Sequence, residues 1–469
     1  MRLTKIVASI SDLRCEADFI RSLYTAGMNV ARINTAHITT DTALTVINNI
    51  RKVSNKIGIL IDTKGPEIRT TRLETPMAVK KGDTLLVSGD FSCSEQNRLL
   101  VSYDRLQDML VVGNRILIDD GDIELIVTGK ESCLVCRVEN DGVIKNNKSV
   151  NIPGVSIELP SITAKDRLFI EFAVANGLDF IAHSFVRNKQ DVLEVQEILD
   201  RHNSNIKIIA KIENLDGVNN IDEILDYAYG IMIARGDLGI EIAAEKLPGI
   251  QRNLIKKAIE RKKPVIVATQ MLHTMIDHPR PTRAEVNDIA NAVFSRTDAL
   301  MLSGETAYGK YPEEAVRTMA RIAEETEHSY DNRNDITLPP LDNEIQAYLS
   351  EAAIKASNEL PAKAIIATTT TGRTSRYLAA FRGRVPVYAK CHSMEVVRQM
   401  ALSYGVFPSY LEIKKNKFKI EKAAISSLLN SNSIAREDLI IYVGGRFGED
   451  AGASFMEIST VDKFRVEPG

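Results

Sequence analysis

Charged, amide and hydroxyl side chains follow six short apolar runs of this sequence, at the point where each run ends. In chain order these side chains are Arg32 with Asn34, Asp62 with Lys64, Lys211 with Glu213, Arg235 with Asp237, Thr269, and Ser303 with Glu305. Residues two apart on a strand point the same way, so each pair is expected to share a face. Any one pair could simply cap a loop, but six strand ends together favour a single site.

Two carboxylates in this set indicate a metal. Glu213 and Asp237 end consecutive apolar runs, so their side chains are expected to lie close and to repel each other. A hard divalent cation between them removes that repulsion, and Mg²⁺ suits two carboxylates together with water and substrate oxygens. Arg32, Lys64 and Lys211 are cations that suit a polyanion, and a metal with fixed cations is typical of phosphoryl transfer.

Two further segments could bind an anion through their backbone. The run 234–239 has two glycines after a strand, which lets N–H groups approach an anion closely, although a plain tight turn explains it as well. The run 368–374 lies between a strand and a helix start, where a phosphate cradle and a capped turn compete. Its candidate phosphate-binding residues are Thr369, Thr371, Gly372, Arg373 and Thr374.

Composition excludes several classes of protein. The chain has 469 residues, and 59 Lys and Arg against 62 Asp and Glu give a net charge of −3. That balance favours neither nucleic acid nor an anionic membrane as a partner. No apolar run reaches the roughly 18–20 residues that span a bilayer, and the start resembles no secretory signal. Five cysteines, an odd number, favour a reduced, cytoplasmic compartment over a disulfide framework.

Common nucleotide and zinc motifs are absent from the sequence. Neither G-x-x-x-x-G-K-[ST] nor G-x-G-x-x-G occurs, so a Walker or Rossmann nucleotide site is not indicated. Cys133 and Cys136 form a C-x-x-C pair, but no second pair or histidine follows at zinc spacing. We therefore interpret these two cysteines as packing residues.

Apolar runs alternate with amphipathic stretches over much of the chain. Unbroken apolar strands are typical of a parallel sheet that is covered on both faces. The eight runs are 5–10, 30–34, 58–62, 179–182, 206–210, 230–234, 264–268 and 299–302. Eight such units predict a (β/α)₈ TIM barrel, with an open doubly wound sheet as the alternative.

The alternation of apolar runs and amphipathic stretches is interrupted twice, and these interruptions predict the domain boundaries. Short alternating runs with turn signals such as Asp120-Gly121 predict an inserted all-β lid domain at 70–154, over the barrel mouth. A polar segment, 331–335, and Pro339-Pro340 predict a linker. The barrel is then expected at 1–69 and 155–330, and residues 331–469 are expected to form a C-terminal α/β domain.

Several long runs of this sequence resemble the pyruvate kinase family, in order and over nearly the whole chain. The barrel carries the specific motifs, and the last domain matches more loosely. The motifs are AGMNVARIN at 26–34, DTKGPEIRT at 62–70, KIEN at 211–214, IARGDLG at 233–239, ATQML at 268–272, PRPTRAE at 279–285 and MLSGET at 301–306.

The resemblance implies transfer of a phosphoryl group from phosphoenolpyruvate to ADP, giving pyruvate and ATP, in a homotetramer that can bind a phosphorylated effector. By likeness, Glu213 and Asp237 hold Mg²⁺ (or Mn²⁺), and Lys211 neutralises the transferring phosphoryl group. The remaining roles implied are phosphate contact for Arg32, substrate-carboxylate binding for Gly236, Asp237 and Thr269, potassium binding for Asn34, Asp62 and Thr63, and nucleotide contact for Asn34, His37 and Lys148. A water relay linked to Thr269 is a candidate donor of the carbon-bound proton.

One departure from the family pattern concerns potassium. Ala36 stands where the family has a serine ligand, which removes one oxygen from the implied K⁺ site. Glu67 is the residue found in potassium-dependent members, so the resemblance still implies K⁺ as a cofactor. Two other functions also stay open from the residues alone. A metal-dependent lyase or aldolase acting on a pyruvate enolate needs a similar metal pair, and a non-catalytic metabolite sensor needs only the last domain.

Overall fold

The computed structural model describes residues 1–90, 98–155, 157, 159–329, 338, 345–413, 416–445 and 452–464. The predicted linker segments at 331–335 and 339–340 lie outside the described residues. Within the described part of the chain, no helix combines the length and the apolar character needed to cross a membrane.

The chain begins with three parallel strands and two helices. Their bounds are β1 (Lys5–Ser9), α1 (Ala17–Ala26), β2 (Val30–Asn34), α2 (Thr40–Val53) and β3 (Gly58–Asp62). Helix α1 ends at Gly27, whose φ of +126° few other residues tolerate and whose N–H bonds to Leu23 O and Tyr24 O. Helix α2 begins with a capping box between Thr39 and Thr42.

The inserted segment after β3 folds mainly into strands with its own hydrophobic core. Its elements are β4 (Thr70–Thr71), β5 (Met77–Val79), β6 (Thr84–Ser88), β7 (Arg98–Val101), α3 (Leu106–Met109), β8 (Arg115–Ile118), β9 (Ile123–Lys130), β10 (Leu134–Val138), β11 (Gly142–Ile144) and β12 (Val150–Asn151). Seven strands pair in the order β12-β8-β9-β10-β6-β7-β4, and β11 pairs with β5. Cys133 and Cys136 are buried and form no disulfide, as expected of packing residues.

The barrel resumes after the insertion. Its remaining elements are α4 (Ala164–Ala175), β13 (Phe180–His183), α5 (Lys189–Arg201), β14 (Lys207–Ile212), α6 (Leu215–Asn219), α7 (Ile221–Tyr227), β15 (Gly230–Ala234), α8 (Arg235–Glu241), α9 (Leu247–Glu260), β16 (Val265–Ala268), α10 (Arg283–Phe294), β17 (Ala299–Leu302), α11 (Gly304–Ala307) and α12 (Pro312–Ser329), with 3₁₀ turns at Ala244–Lys246 and His273–Ile276. The strands close in the order β1-β17-β16-β15-β14-β13-β3-β2. The predicted (β/α)₈ barrel is therefore confirmed, and the open sheet is wrong.

The barrel strands are apolar on both faces, as a covered parallel sheet requires. One face fills the barrel interior with residues such as Val30, Leu60 and Ile266, all fully buried. The other face packs against the helices. Because the strand bodies are apolar, their polar residues collect at the strand ends, where active sites of such barrels are built.

The last domain is an α/β sheet, as predicted. Its elements are α13 (Ile345–Glu359), β18 (Ala362–Thr369), α14 (Arg373–Ala380), β19 (Val387–Cys391), α15 (Met394–Met400), β20 (Val406–Tyr410), α16 (Lys417–Asn430), β21 (Leu439–Gly445) and β22 (Ala453–Thr460), with strand order β20-β19-β18-β21-β22. It docks on the amino-terminal end of the barrel, the floor, where Arg382 pairs with Asp298 at 2.6 Å. The domain boundaries at 70, 155 and 331 stay predictions.

Candidate active site

A buried network of charges lies at the carboxyl ends of β2, β3 and β14. The Lys211 Nζ lies 3.0 Å from Asp62 Oδ1 and 3.0 Å from Glu213 Oε1. Arg32 Nε lies 2.6 Å from Asp62 Oδ2, so Asp62 has a cation on each oxygen. Three strand ends that the sequence predicts to converge are thus brought within ion-pair distance.

The electrostatics of this network fix the charge on its members. Burial disfavours the ammonium of Lys211, but Asp62 and Glu213 outweigh burial and raise the pKa of Lys211 above its usual range. Burial likewise works against the Asp62 carboxylate, yet Arg32 and Lys211 lower the pKa of Asp62 below its usual range. Lys211 is consequently a permanent cation at neutral pH and cannot serve as a base.

The carboxylate of Asp237 adds negative charge next to this network. Burial raises the pKa of Asp237, and the neighbouring Glu213 raises it further. Glu213 Oε2 accepts a hydrogen bond from the Phe185 N–H at 2.7 Å, which orients the carboxylate. Among the described residues, no group of three or more His, Cys, Asp or Glu side chains is arranged so that it could hold a metal ion.

Thr269 lies after β16 in a left-handed backbone conformation, with a φ of +69°. Its hydroxyl accepts the Gly236 N–H at 2.8 Å and donates to Ala268 O at 2.7 Å. The family resemblance implies that the Gly236 N–H faces a substrate carboxylate. In this structure the N–H donates its hydrogen bond to the Thr269 hydroxyl instead. Gly236 and Thr269 are therefore neighbours, and both residues are partly exposed.

The residues expected to bind potassium already have protein partners. Asn34 Oδ1 accepts the Ala36 N–H at 3.1 Å. Thr63 Oγ1 lies 3.3 Å from Ala182 O and accepts the Ser184 N–H at 3.0 Å. Asp62 is the third member, and both its oxygens face cations.

The residues expected to contact a nucleotide lie at the rim of the mouth and on the lid. His37 is exposed, and Lys148 Nζ lies 2.8 Å from Asp119. Lys148 and Asp237 line one cavity of about 820 Å³ between lid and barrel. Next to it is a cleft of about 1100 Å³ that Glu213 and Asp237 also line. The lid thus covers the charged network and leaves room beside it for a substrate.

The segment predicted to bind an effector phosphate joins β18 to α14. Thr369 Oγ1 accepts the Gly372 N–H at 2.9 Å, and Thr374 Oγ1 accepts from Gln346 at 2.7 Å. Gly372 has a φ of +80°, which permits the tight turn. The guanidinium of Arg373 lies 5.5 Å from the ring centre of Tyr377, and Thr371 is exposed. Thr369 and Gly372 are thus paired with each other inside the turn, and Thr374 is paired with Gln346 of α13.

Sequence reasoning missed two residues of this region. Ser184 accepts a hydrogen bond from Lys211 Nζ at 2.7 Å and donates to Thr63 O at 2.7 Å. Asp288 of α10 pairs with Arg235 at 2.7 Å. Ser184 directly follows β13, so its position at a strand end was a usable signal. Asp288 lies inside a helix, and no pattern in the sequence connects it with the strand ends.

Comparisons with known proteins agree with this geometry. A family model described as "Pyruvate kinase, barrel domain" matches residues 1–316, and one described as "Pyruvate kinase, alpha/beta domain" matches residues 348–459. The chain belongs to the pyruvate kinase family. A pyruvate kinase of Borreliella burgdorferi is 46% identical over 98% of both chains, and one of Geobacillus stearothermophilus is 42% identical over 98% of this chain and 80% of the relative.

A solved structure supports the same assignment. A crystal structure of a pyruvate kinase from Cryptosporidium parvum superposes with a TM-score of 0.92 at 35% identity, covering 98% of this chain and 96% of the other. The resemblance inferred from the sequence motifs is thus confirmed. Membership of the pyruvate kinase family does not favour the lyase or the sensor alternative.

Proposed function

We propose that this protein transfers the phosphoryl group of phosphoenolpyruvate to ADP, giving pyruvate and ATP. The observation that carries the proposal is the Lys211 ammonium held 3.0 Å from both Asp62 and Glu213, with Asp237 beside them in an open mouth. Phosphoryl transfer needs positioning and charge stabilisation more than covalent chemistry, and this mouth offers fixed charges of both signs.

In this proposal Glu213 and Asp237 hold a divalent cation, Mg²⁺ or Mn²⁺. The fit rests on the donor set, because two adjacent buried carboxylates leave negative charge uncompensated and hard oxygen ligands suit these ions. When bound, the ion would polarise substrate oxygens. Phe185 contributes by fixing the Glu213 carboxylate through its N–H.

Lys211 and Arg32 are the fixed cations for the migrating phosphoryl group. Both are anchored by Asp62, with Arg32 Nη1 also donating to Ser9 Oγ at 2.8 Å. Because their carboxylate partner is buried and their positions are fixed, neither side chain must reorganise as charge develops in the transition state. Lys211 stabilises charge in this scheme and moves no proton.

Thr269 is the group we assign to the substrate carboxylate, together with the backbone around Gly236 and Asp237. Its hydroxyl accepts the Gly236 N–H and donates to Ala268 O, which holds it between α8 and β16. Asn34, His37 and Lys148 are assigned to ADP and ATP. Lys148 lies on the lid side of the cavity that Asp237 lines, so the nucleotide would enter between lid and barrel.

The potassium assignment to Asn34, Asp62 and Thr63 has the least support. Ala36 offers no side-chain oxygen, and the three candidate ligands are engaged with protein partners. We therefore propose that monovalent cations are not required for turnover.

The remaining assignments concern assembly and regulation. Ile345 and Tyr348 of α13 are 68% and 74% exposed, and an apolar helix face of this kind supports the homotetramer that the family resemblance implies. Effector binding is assigned to Thr369, Thr371, Gly372, Arg373 and Thr374. A cytoplasmic location fits the odd number of cysteines and the free thiols of the described residues.

One turnover assay tests the proposed function. The purified protein is mixed with phosphoenolpyruvate, ADP and Mg²⁺, and both pyruvate and ATP are measured. We expect the two products in equal amounts and neither when ADP is left out. Pyruvate without ADP dependence would favour the lyase, and no product under any condition would favour the sensor.

A further inference from the structure

The segment that carries Thr269 has a backbone that must be held in place. Thr269 and Gln270 are consecutive non-glycine residues with φ of +69° and +53°. The left-handed region is unfavourable for a β-branched residue, and such residues keep this conformation only where their surroundings enforce it. A neighbouring group must therefore hold the backbone of Thr269 in this conformation.

The guanidinium of Arg235 makes the contact. Its Nη2 donates to the Thr269 carbonyl oxygen at 2.7 Å and lies 2.7 Å from Met271 Sδ. Its Nη1 donates to Asp288 of α10, at 2.8 Å from Oδ1 and 2.7 Å from Oδ2. Arg235 is only 8% exposed, and the Asp288 side chain is 37% exposed, so a largely buried guanidinium bridges the Thr269 turn to a half-exposed carboxylate on α10.

The same stretch of chain also holds the other side of Thr269. Arg235 is the first residue of α8, and the next residue, Gly236, donates its N–H to the Thr269 hydroxyl at 2.8 Å. Two consecutive residues therefore fix the carbonyl and the hydroxyl of one threonine. A planar guanidinium can bond the carbonyl and the carboxylate at once in fixed directions, which an ammonium on a flexible stem does less well.

We propose that Arg235, oriented by Asp288, is a positioning residue that fixes the backbone of Thr269 and so the place of its hydroxyl, whose O–H turns from Ala268 O to the substrate carboxylate when substrate binds. The inference rests on the role proposed above for Thr269. It assigns to Arg235 a function apart from the strand-end cations: the side chain leaves the mouth, because α8 begins at this residue, and acts on the substrate only through the threonine.

A double-mutant cycle between Arg235→Met and Thr269→Val tests the proposal. Each single variant is expected to lower kcat/KM for phosphoenolpyruvate by about 100-fold, since small displacements of a positioning group cost about that much. The KM for ADP should stay unchanged. If Arg235 acts through Thr269, the double variant is no worse than the poorer single variant, because coupled residues are non-additive.

Other variants make the outcome decisive. Asp288→Asn is milder and should give a smaller loss of the same kind, and it replaces Arg235→Met in the cycle if that variant does not fold. Arg261→Met removes an exposed ion pair of the same type, with Asp226, and should leave all constants unchanged. Losses that multiply in the double variant, or a KM for ADP that rises equally, would overturn the inference while leaving wild-type turnover intact. A wild-type chain without turnover would overturn the proposed function and this inference together.

Discussion

A buried ion pair at the floor of the barrel and the charged network at its mouth differ in whether every carboxylate has its full set of partners. At the floor, Asp298 receives two bonds from Arg382, at 2.6 and 3.0 Å, and two backbone N–H groups complete its partners. At the mouth, three carboxylates (Asp62, Glu213 and Asp237) face two cations, Arg32 and Lys211. The Asp298–Arg382 pair is complete without a ligand, whereas a cation bound between Glu213 and Asp237 would offset their repulsion.

This difference separates stability from function. A complete buried pair costs the protein several kcal/mol when one partner is removed, because the other is left charged and unpaired. An incomplete set of charges contributes less to stability, but it can bind whatever restores the balance. Four experiments test whether the mouth serves function and the floor serves stability.

The largest effect is expected from Lys211→Met at the mouth. Removing the charge next to the migrating phosphoryl group should lower kcat by about 1000-fold, the upper range for loss of one electrostatic stabiliser. Phosphoenolpyruvate should still protect the variant against thermal unfolding, since Arg32 remains. Lys256→Met, at an exposed pair that is 74% accessible on the lysine side, is the control. Turnover near the wild-type rate would remove Lys211 from the proposed mechanism.

The matching change at the floor is Asp298→Ala. It leaves the buried Arg382 guanidinium without its carboxylate and should lower the free energy of unfolding by about 3–5 kcal/mol. The kcat of the folded fraction at low temperature should stay at the wild-type value. Denaturant unfolding followed by circular dichroism, together with turnover, measures both. A loss of kcat without a loss of stability would contradict the division between the two ends.

A pH experiment examines the floor through Lys5. Burial, and secondarily Arg2, lower the pKa of Lys5 to about 7, although Glu327 and Asp298 oppose the shift. Its Nζ donates to Val406 O at 2.7 Å and lies 4.1 Å from the Phe407 ring centre. Between about pH 7 and the usual lysine pKa near 10.4, the unfolded chain binds more protons than the folded one. This group therefore adds stability as the pH rises through that window.

Lys5→Met lacks the titrating group and should lose that dependence. The stability of the variant relative to wild type is expected to be highest at or below pH 7 and to decline toward pH 9. Unfolding midpoints of the two proteins at several pH values give the comparison, in which other titrating groups cancel. A relative stability that stays flat between pH 7 and pH 9 would show that Lys5 is buried in its charged form.

The smallest effect is expected from exchanging the monovalent cation. Replacing K⁺ by tetramethylammonium at constant ionic strength should leave turnover unchanged, because Asn34, Asp62 and Thr63 already have protein partners and Ala36 adds no ligand. Turnover at several K⁺ concentrations is the measurement. A rate that falls to background without K⁺ would mean that the ion displaces one of those partners, and the mouth would then bind two kinds of cation.

The sequence predicts the strand ends well and the side-chain directions beyond them less well. Lys211 and Glu213 are two apart on one strand, so parallel-strand geometry alone predicts their shared face. Arg235 and Asp237 have the same spacing, but a helix begins at Arg235, and its side chain turns away to Asp288. The periodicity of a strand no longer holds once the backbone becomes helical.

Side-chain contacts between different barrel strands are the second feature that the sequence does not predict. Asp62 resembles a potassium ligand by its motif, yet in the structure it joins Arg32 to Lys211 across two other strands. Ser184 reaches Lys211 in the same way. Such contacts depend on which strands become neighbours and at what register, and the amino-acid pattern of a single strand carries neither.

The two ends of the lid are hydrogen-bonded to each other, and this affects how the chain can fold. Strands β3 and β13 are neighbours, with Leu60 opposite Phe180, although the whole lid lies between them in the chain. The two lid ends are joined where Thr70 N bonds to Lys148 O and Lys148 N to Thr70 Oγ1, each at 2.8 Å. Once the insertion has folded around its own core, the two strands are linked through residues 63–69 and the segment 152–179 that contains α4, and the entropy of closing the lid itself is already spent. We therefore expect pairing of β3 with β13 to follow folding of the lid. Replacing the lid by a turn of a few residues should speed refolding of the barrel.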